Sequence, residues 1–341
     1  MIKPWIFEFF PTYGQSDQAA YAWHLELWSR AEAIGFEGVF FSEHHFGHGR
    51  LSPSPNLLIA AVAMRTKALR LGVMGMVLPL YEPWRAAEEV CMLDHLSGGR
   101  IEIGVSSGAG PMETTAAGIP LDEVRPRFME GLDVLELALT QPKFSHHGRF
   151  YNYEGLSIVP RPLQQPLPRR WMTLVSETTA AMAGARGYDA CTGFVTNAEA
   201  RSLFEVHAAA ATAAGLQTGP EHLALRRQVV VAGSDADGEA VAKAATGRLL
   251  AMFGRGRPAA DPEAATPSAA PDAPPSPRGL FFGEDETIVG SPASVAEQII
   301  EQCRATGAGH ILAYPFITAE LGEVARSYEL WREVVPLLRK A

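Results

Sequence analysis

Eight short apolar runs, separated by amphipathic or linking stretches, constrain this chain more than any other feature. They are Trp5 to Phe10, Gly38 to Glu43, Leu69 to Val77, Arg100 to Ser106, Arg170 to Ser176, Asp189 to Phe194, Leu223 to Ala232 and His310 to Phe316. Strand-like runs alternating with helical patterns indicate a parallel sheet built from βα units. Several runs are apolar on both alternating faces, as in Ile311-Leu312-Ala313-Tyr314, which suits a strand covered on both sides. Between them, Ala20 to Ile34 sets Trp23, Leu27 and Ala31 on one helical face with Arg30 and Glu32 off it. Helical stretches close on a glycine just before the next strand, at Gly35, Gly187 and Gly307. Eight such units predict a closed α/β barrel of the (β/α)8 TIM type, a single domain spanning 1–341. A doubly wound open sheet would carry fewer strands and a glycine-rich first turn, which Pro11-Thr12-Tyr13-Gly14 is not.

One segment breaks the pattern. Gly254 to Pro277 is rich in Pro and Ala and has no periodicity, so it lacks the apolar surface to order itself. It falls between the seventh and eighth runs, which places one end at the rim where barrels carry their chemistry. Glycines at its ends and Phe281-Phe282 beyond it make the stretch 254–283 a candidate lid that excludes water from a reacting centre.

Composition narrows the partners. Among 341 residues, 38 acidic and 29 basic side chains give a net charge of -9, and mean hydropathy is close to zero. Basic residues cluster no further than pairs such as Arg169-Arg170 and Arg226-Arg227, so neither a nucleic acid nor an anionic membrane is an expected partner. Small molecules are. Cys91, Cys191 and Cys303 lack paired spacing, which predicts free thiols in a reducing compartment. The N-terminal run carries Glu8 and no small-residue cleavage site, so a cytoplasmic protein is expected.

The sharpest local feature is Ser42-Glu43-His44-His45-Phe46, at the end of the second run. On a barrel that end faces the site, which favours a functional reading over a pair of hydrogen-bonded structural histidines. Glu43, His44 and His48 as metal ligands is the weaker reading, because residues leaving a strand alternate in direction, and no metal is expected. In Leu71-Gly72-Val73-Met74-Gly75-Met76, glycine within a strand marks either close approach of a ligand to the backbone or crowding by neighbours. Val175-Ser176-Glu177-Thr178-Thr179 runs from a strand into a helix through hydroxyl residues, which serves a phosphate or plain helix capping.

Together with LDHLSGGR at 93–100, VPRPLQQP at 159–166 and VGSPASVAEQIIEQCRATG at 289–307, these motifs resemble the bacterial luciferase-like flavin-dependent monooxygenases along almost the whole chain. The resemblance implies reduced FMN supplied by a separate flavin reductase, dioxygen, a flavin hydroperoxide and oxygenation of a small organic substrate. EHHF favours the FMN branch over a deazaflavin-dependent oxidoreductase; a non-catalytic flavin-binding subunit is the other alternative. By position, His44 resembles the family's catalytic histidine, with Glu43 beside it. Met74-Gly75 resembles its non-prolyl cis peptide beneath the flavin. Ser106, Ser107, Val175, Ser176, Thr178 and Thr179 are the remaining expected cofactor contacts. Phe7, His45, Phe46 and Phe194 are expected toward the substrate, with Trp5 and Phe9 as further aromatic candidates. Ser107 stands where luciferases carry a phosphate-gripping arginine, so another arginine or weaker flavin binding is expected. A homodimer paired through helices on one side of the barrel completes the expectation.

Overall fold

The computed structural model describes residues 1–46, 50–108, 111–255 and 284–341. Its strands are β1 (Lys3–Glu8), β2 (Gly38–Phe41), β3 (Arg70–Val73), β4 (Met76–Val77), β5 (Ile101–Ser106), β6 (Phe144–His147), β7 (Asn152–Leu156), β8 (Arg170–Leu174), β9 (Asp189–Thr192), β10 (Leu223–Val231), β11 (Thr287–Gly290) and β12 (His310–Tyr314). Its helices are α1 (Asp17–Ile34), α2 (Pro55–Ala63), α3 (Pro83–Ser97), α4 (Pro111–Ala116), α5 (Leu121–Thr140), α6 (Glu177–Ala185), α7 (Asn197–Ala213), α8 (Asp235–Arg255), α9 (Pro292–Thr306) and α10 (Leu321–Lys340). Parallel pairing runs β1-β2-β3-β5-β8-β9-β10-β12 and returns to β1, which closes an eight-stranded barrel. All eight sequence runs supply one barrel strand each. The run Leu69 to Val77 divides into β3 and β4 at a cis Met74–Gly75 peptide. The hairpin β6–β7 and the short β11, which extends the sheet along β10, carried too little apolar pattern to be read in advance.

Alternation along β1 shows how the barrel is filled. Trp5 and Phe7 enter an interior cluster with Phe9, Phe40, Met74, Trp171, Leu312 and Tyr314, while Ile6 joins the larger core between strands and helices. Near the strand N-termini the filling is a polar layer. Trp5 Nε1 donates to His310 Nδ1 at 2.9 Å, and Trp171 Nε1 donates to Glu102, which Arg70 also engages. Burial drives the His310 pKa down to about 3, so the ring is neutral and can accept from Trp5. Trp5, fully buried and stacked on Phe40, is therefore part of the floor and not a cavity wall. Gly72 belongs to this packing too, since a Cβ there would meet the Phe40 ring at 2.5 Å.

The LDHLSGGR segment is architectural. Asp94, fully buried, accepts from Leu163 N, Gln164 N and Gln164 Nε2 at 2.8–2.9 Å, which fastens the approach to β8 onto α3. Gly98 and Gly99 both take positive φ and turn the chain out of α3. Arg100 then donates to the carbonyls of Ala63, Leu69 and Ser97, tying α2, α3 and the entry to β3. Helix α8 runs on to Arg255, so the first two residues of the expected lid are helical; the segment 256–283 lies outside the described residues.

Asp94→Ala leaves three donors without their carboxylate, and a loss of about 3 kcal/mol in unfolding free energy is expected, since buried groups orphaned from a charged partner cost roughly 1–3 kcal/mol or more. Denaturant titration checks this; a loss below about 0.5 kcal/mol, the range of ordinary surface substitutions, would remove Asp94 from this role.

Candidate active site

The C-terminal ends of the barrel strands surround a cavity of about 580 Å³. The packed rings of Trp5, Phe40 and Trp171 belong to the interior cluster that Phe7, Phe9 and Met74 of the wall also join. Of the residues expected from sequence, Phe7, Glu43, His44, Met74, Gly75, Ser106, Ser107, Val175, Thr179 and Phe194 line it. Gly75 lies against β5, where a Cβ would come within 2.7 Å of the Val105 carbonyl carbon. Ser106 Oγ donates to the Gly75 carbonyl at 3.3 Å, which couples the two strands at the cavity wall.

His44, His45 and Glu43 separate into different roles. His44 enters the cavity with its ring stacked on Phe9 at 6.1 Å and Nδ1 3.5 Å from Glu113 Oε1. Burial pushes its pKa down to about 4, Arg50 and Arg226 add to that, and Glu113 opposes it. The ring is neutral at pH 7 and able to accept a proton. Glu43 Oε2 accepts from Val77 N and the Tyr81 hydroxyl at 3.0–3.1 Å, and its Oε1 lies 3.0 Å from His45 Nε2. With three partners engaged, Glu43 positions the strand exit and holds His45, whose pKa the hydrogen bond raises.

Four expected contacts are not at the cavity wall. His45 is held by Glu43, while Phe46 takes a positive φ of 56° and lies exposed. Ser176 caps α6 by accepting from Thr179 N and pairing with Thr179 Oγ1, and Thr178 is exposed on the first turn. Capping thus accounts for Ser176, while Val175 and Thr179 keep their places on the wall.

A family model described as luciferase-like monooxygenase matches residues 5–310. The chain belongs to this family. The oxygenase component of the flavin-dependent trigonelline monooxygenase of Acinetobacter baylyi is 31% identical over 160 residues, 46% of this chain and 44% of that protein. The chain spans about half the length of curated relatives such as this one. The oxygenating constituent of 3,6-diketocamphane monooxygenase from Pseudomonas putida, solved in complex with FMN, superposes with TM-score 0.80 at 22% identity over 98% of both chains. An F420-dependent secondary alcohol dehydrogenase superposes with TM-score 0.74 at 15% identity, covering 99% of each chain. At those identities the two structures show the fold alone.

Against the luciferase-like pattern, the charged wall residues Arg50, Arg125 and Arg226 escaped the sequence-derived set, as did Glu113, which reaches the site through its contact with His44; Phe9, a further aromatic candidate, does line the wall. Arg125 and Glu113 come from helices whose approach to the rim no local pattern records. Among the described residues no group of three His, Cys, Asp or Glu could hold a metal, and no helix is long and apolar enough to cross a membrane. His48, one of the weighed metal ligands, lies outside the described residues. All three cysteines are free and buried.

Because burial and two arginines hold His44 neutral, its protonation is expected only as the pH falls toward 4. Removing a positive neighbour eases protonation, so Arg50→Gln raises this pKa. The shift also has a stability consequence: with the folded pKa depressed below the ordinary histidine value of 6.5, His44 contributes stability above pH 6.5 that is lost as the pH falls toward 4. Imidazole NMR titration of both proteins reads the pKa directly, and a wild-type midpoint near 6.5, or an unchanged one in Arg50→Gln, would contradict the placement.

Proposed function

We propose that this luciferase-like protein is the oxygenase of a flavin-dependent monooxygenase system: it takes reduced FMN from a separate flavin reductase and uses dioxygen to oxygenate a small organic substrate. The observation that carries this reading is the joining, in one cavity, of neutral His44, the Met74–Gly75 wall and residues suited to a phosphate. Those residues are Ser107, Val175, Thr179 and Arg125. Arg125 stands in the second turn of α5 with no hydrogen bond or ion pair among the described residues, so its charge is available to a phosphate even though Ser107 replaces the expected arginine. Reduced flavin, when bound, supplies the electrons that activate dioxygen.

The protein's own residues then have defined tasks. Met74, Gly75 and Ser106 shape the wall against the flavin ring, and Arg125 with Thr179 holds the phosphate. His44, uncharged and backed by Glu113, accepts a proton or donates a hydrogen bond at the reacting oxygen. Phe7, Phe9 and Phe194 exclude water from the substrate side.

Anaerobic titration with reduced FMN and with reduced deazaflavin tests the cofactor. Tight binding of FMN alone supports the reading, whereas binding of deazaflavin alone converts the protein to a hydride-transfer enzyme. Arg125→Ala is expected to weaken FMN by ~10-fold or more while leaving riboflavin unchanged, because charge-assisted contacts to the phosphate are worth about 1.5–3 kcal/mol. His44→Ala should keep FMN binding but lose ~100-fold in product formation, the usual scale for a general acid or base.

We also propose a homodimer paired through α2 and α3. These neighbouring helices expose Leu57, Met92 and Leu96, with Met64 just after α2, each at least half exposed. Light scattering should give twice the 36.8 kDa chain mass at micromolar concentration, and Met92→Glu should return the monomer. A monomeric wild type would refute the pairing.

A further inference from the structure

Arg226 and Arg227 are adjacent in β10, so their side chains leave on opposite faces of the barrel wall. Arg227, fully buried, points outward and is satisfied: Nε donates to Gln302 Oε1 and Nη2 to Asn197 Oδ1, both at 2.7 Å, and Nη1 to the Arg226 carbonyl. Arg226 points into the cavity and is not. It is 9% exposed, its Nε is buried without a hydrogen-bond partner, and no carboxylate among the described residues pairs with any of its side-chain nitrogens. Its backbone N–H alone donates, to Thr192 Oγ1. What surrounds the guanidinium is aromatic: it lies 4.9 Å from the Phe7 ring centroid and 4.3 Å from that of Phe194.

A buried cation without an anion is costly, and ring faces offset only part of that cost. Such a group persists where a ligand supplies the missing charge. The two rings fix the guanidinium by its face, which leaves its coplanar N–H donors free, the geometry that matches both oxygens of a carboxylate. Its strand sets it across the barrel from the Met74–Gly75 wall, while its Nη2 comes near Val175: both Arg226 Nη2 and Val175 Cγ1 lie 3.9 Å from where a Cβ on Gly193 would sit. In the closed strand order β10 stands opposite β3, which leads into Met74–Gly75, while Ser106 ends β5 and Val175 follows β8. Arg50, over the Phe9 ring at 5.2 Å, adds a second positive charge on the same wall.

We propose that Arg226 is the substrate-anion receptor of this cavity, and that the molecule oxidised carries a carboxylate held by Arg226 beside Phe7 and Phe194. The inference rests on the cavity being the substrate chamber of a monooxygenase, and it supplies the substrate class that reading leaves open. A carboxylate so held fixes one end of the substrate, and the remainder extends across the chamber toward His44 and the Met74–Gly75 wall.

Benzoate and its neutral isostere benzamide are the probes, titrated calorimetrically into the full-length protein with and without FMN. Benzoate is expected to bind the wild type at least about tenfold tighter than benzamide. Arg226→Gln should abolish that preference without changing FMN affinity, and Arg226→Lys, which keeps the charge but loses the fork, should retain part of it. Equal binding of the two probes by the wild type overturns the proposal, as does a preference that survives in Arg226→Gln. Loss of FMN affinity in that variant with benzoate binding intact overturns it too and reassigns Arg226 to the cofactor. Should Arg226→Gln fail to fold, an Arg226→Lys protein binding benzoate as the wild type does overturns it. Failure of the wild type to bind FMN, with benzoate selectivity intact and dependent on Arg226, would refute the cofactor reading and leave the anion site standing.

Discussion

The cavity depends on the barrel being filled from one end only. Trp5, Phe40 and Trp171 occupy the lower interior, and the hydrogen bonds Trp5–His310 and Trp171–Glu102 satisfy the polar atoms that burial would otherwise orphan. Such a plug cannot collapse upward, because the rings are too large to reorient inside a close-packed shell. Glycine makes the room: a Cβ at Gly38 would meet the Trp5 ring at 2.3 Å, and one at Gly72 would meet Phe40. Everything above this layer is therefore free to be shaped by side chains from the strand ends and rim helices. The barrel holds those side chains at fixed spacing around an empty centre.

The fold was legible because parallel strands buried on both faces write continuous apolar runs, and eight of these are a closed barrel's worth. What the runs could not show was interruption. Leu69 to Val77 reads as one strand, yet the chain breaks at Met74–Gly75 and re-pairs as β4. The hairpin β6–β7 is built from half-exposed residues such as His146 and Tyr153, whose pattern is too weak to announce a strand. At the site, motifs confined to strand ends include His44, Met74, Gly75 and Thr179, which line the cavity. Neighbours read from the same motifs did not follow them, because alternation sends consecutive residues to different surroundings: His44 faces the cavity while His45 is held by Glu43, and Ser176 caps the helix beside wall-lining Val175.

Residues arriving from elsewhere were illegible for a different reason. Glu113 backs His44 from α4, and Arg125 reaches the rim from α5, each delivered by tertiary packing with no local signature. Yet Glu113 is what ties His44 to the rest of the wall. Its Oε1 accepts from His45 N at 2.8 Å and lies near His44 Nδ1, so one carboxylate sets both the backbone turn and the ring of the adjacent histidine. Contacts of this kind hold a side chain in one orientation, as a ligand's outer partners do in other sites.

Charge makes the same separation between overall composition and local chemistry. The chain as a whole is acidic, at -9, which argues against polyanionic partners. Its cavity has the opposite character. Arg50, Arg125 and Arg226 converge there against Glu43 and Glu113, and Glu43 is already occupied by three donors. The arginines also act on His44, lowering its affinity for a proton so that the imidazole is neutral where cations surround it. A positive chamber inside an acidic protein draws small anions inward while the exterior repels large ones, because low-dielectric walls focus the local field toward the opening. The net charge thus describes what the surface turns away, and the three arginines describe what the interior admits.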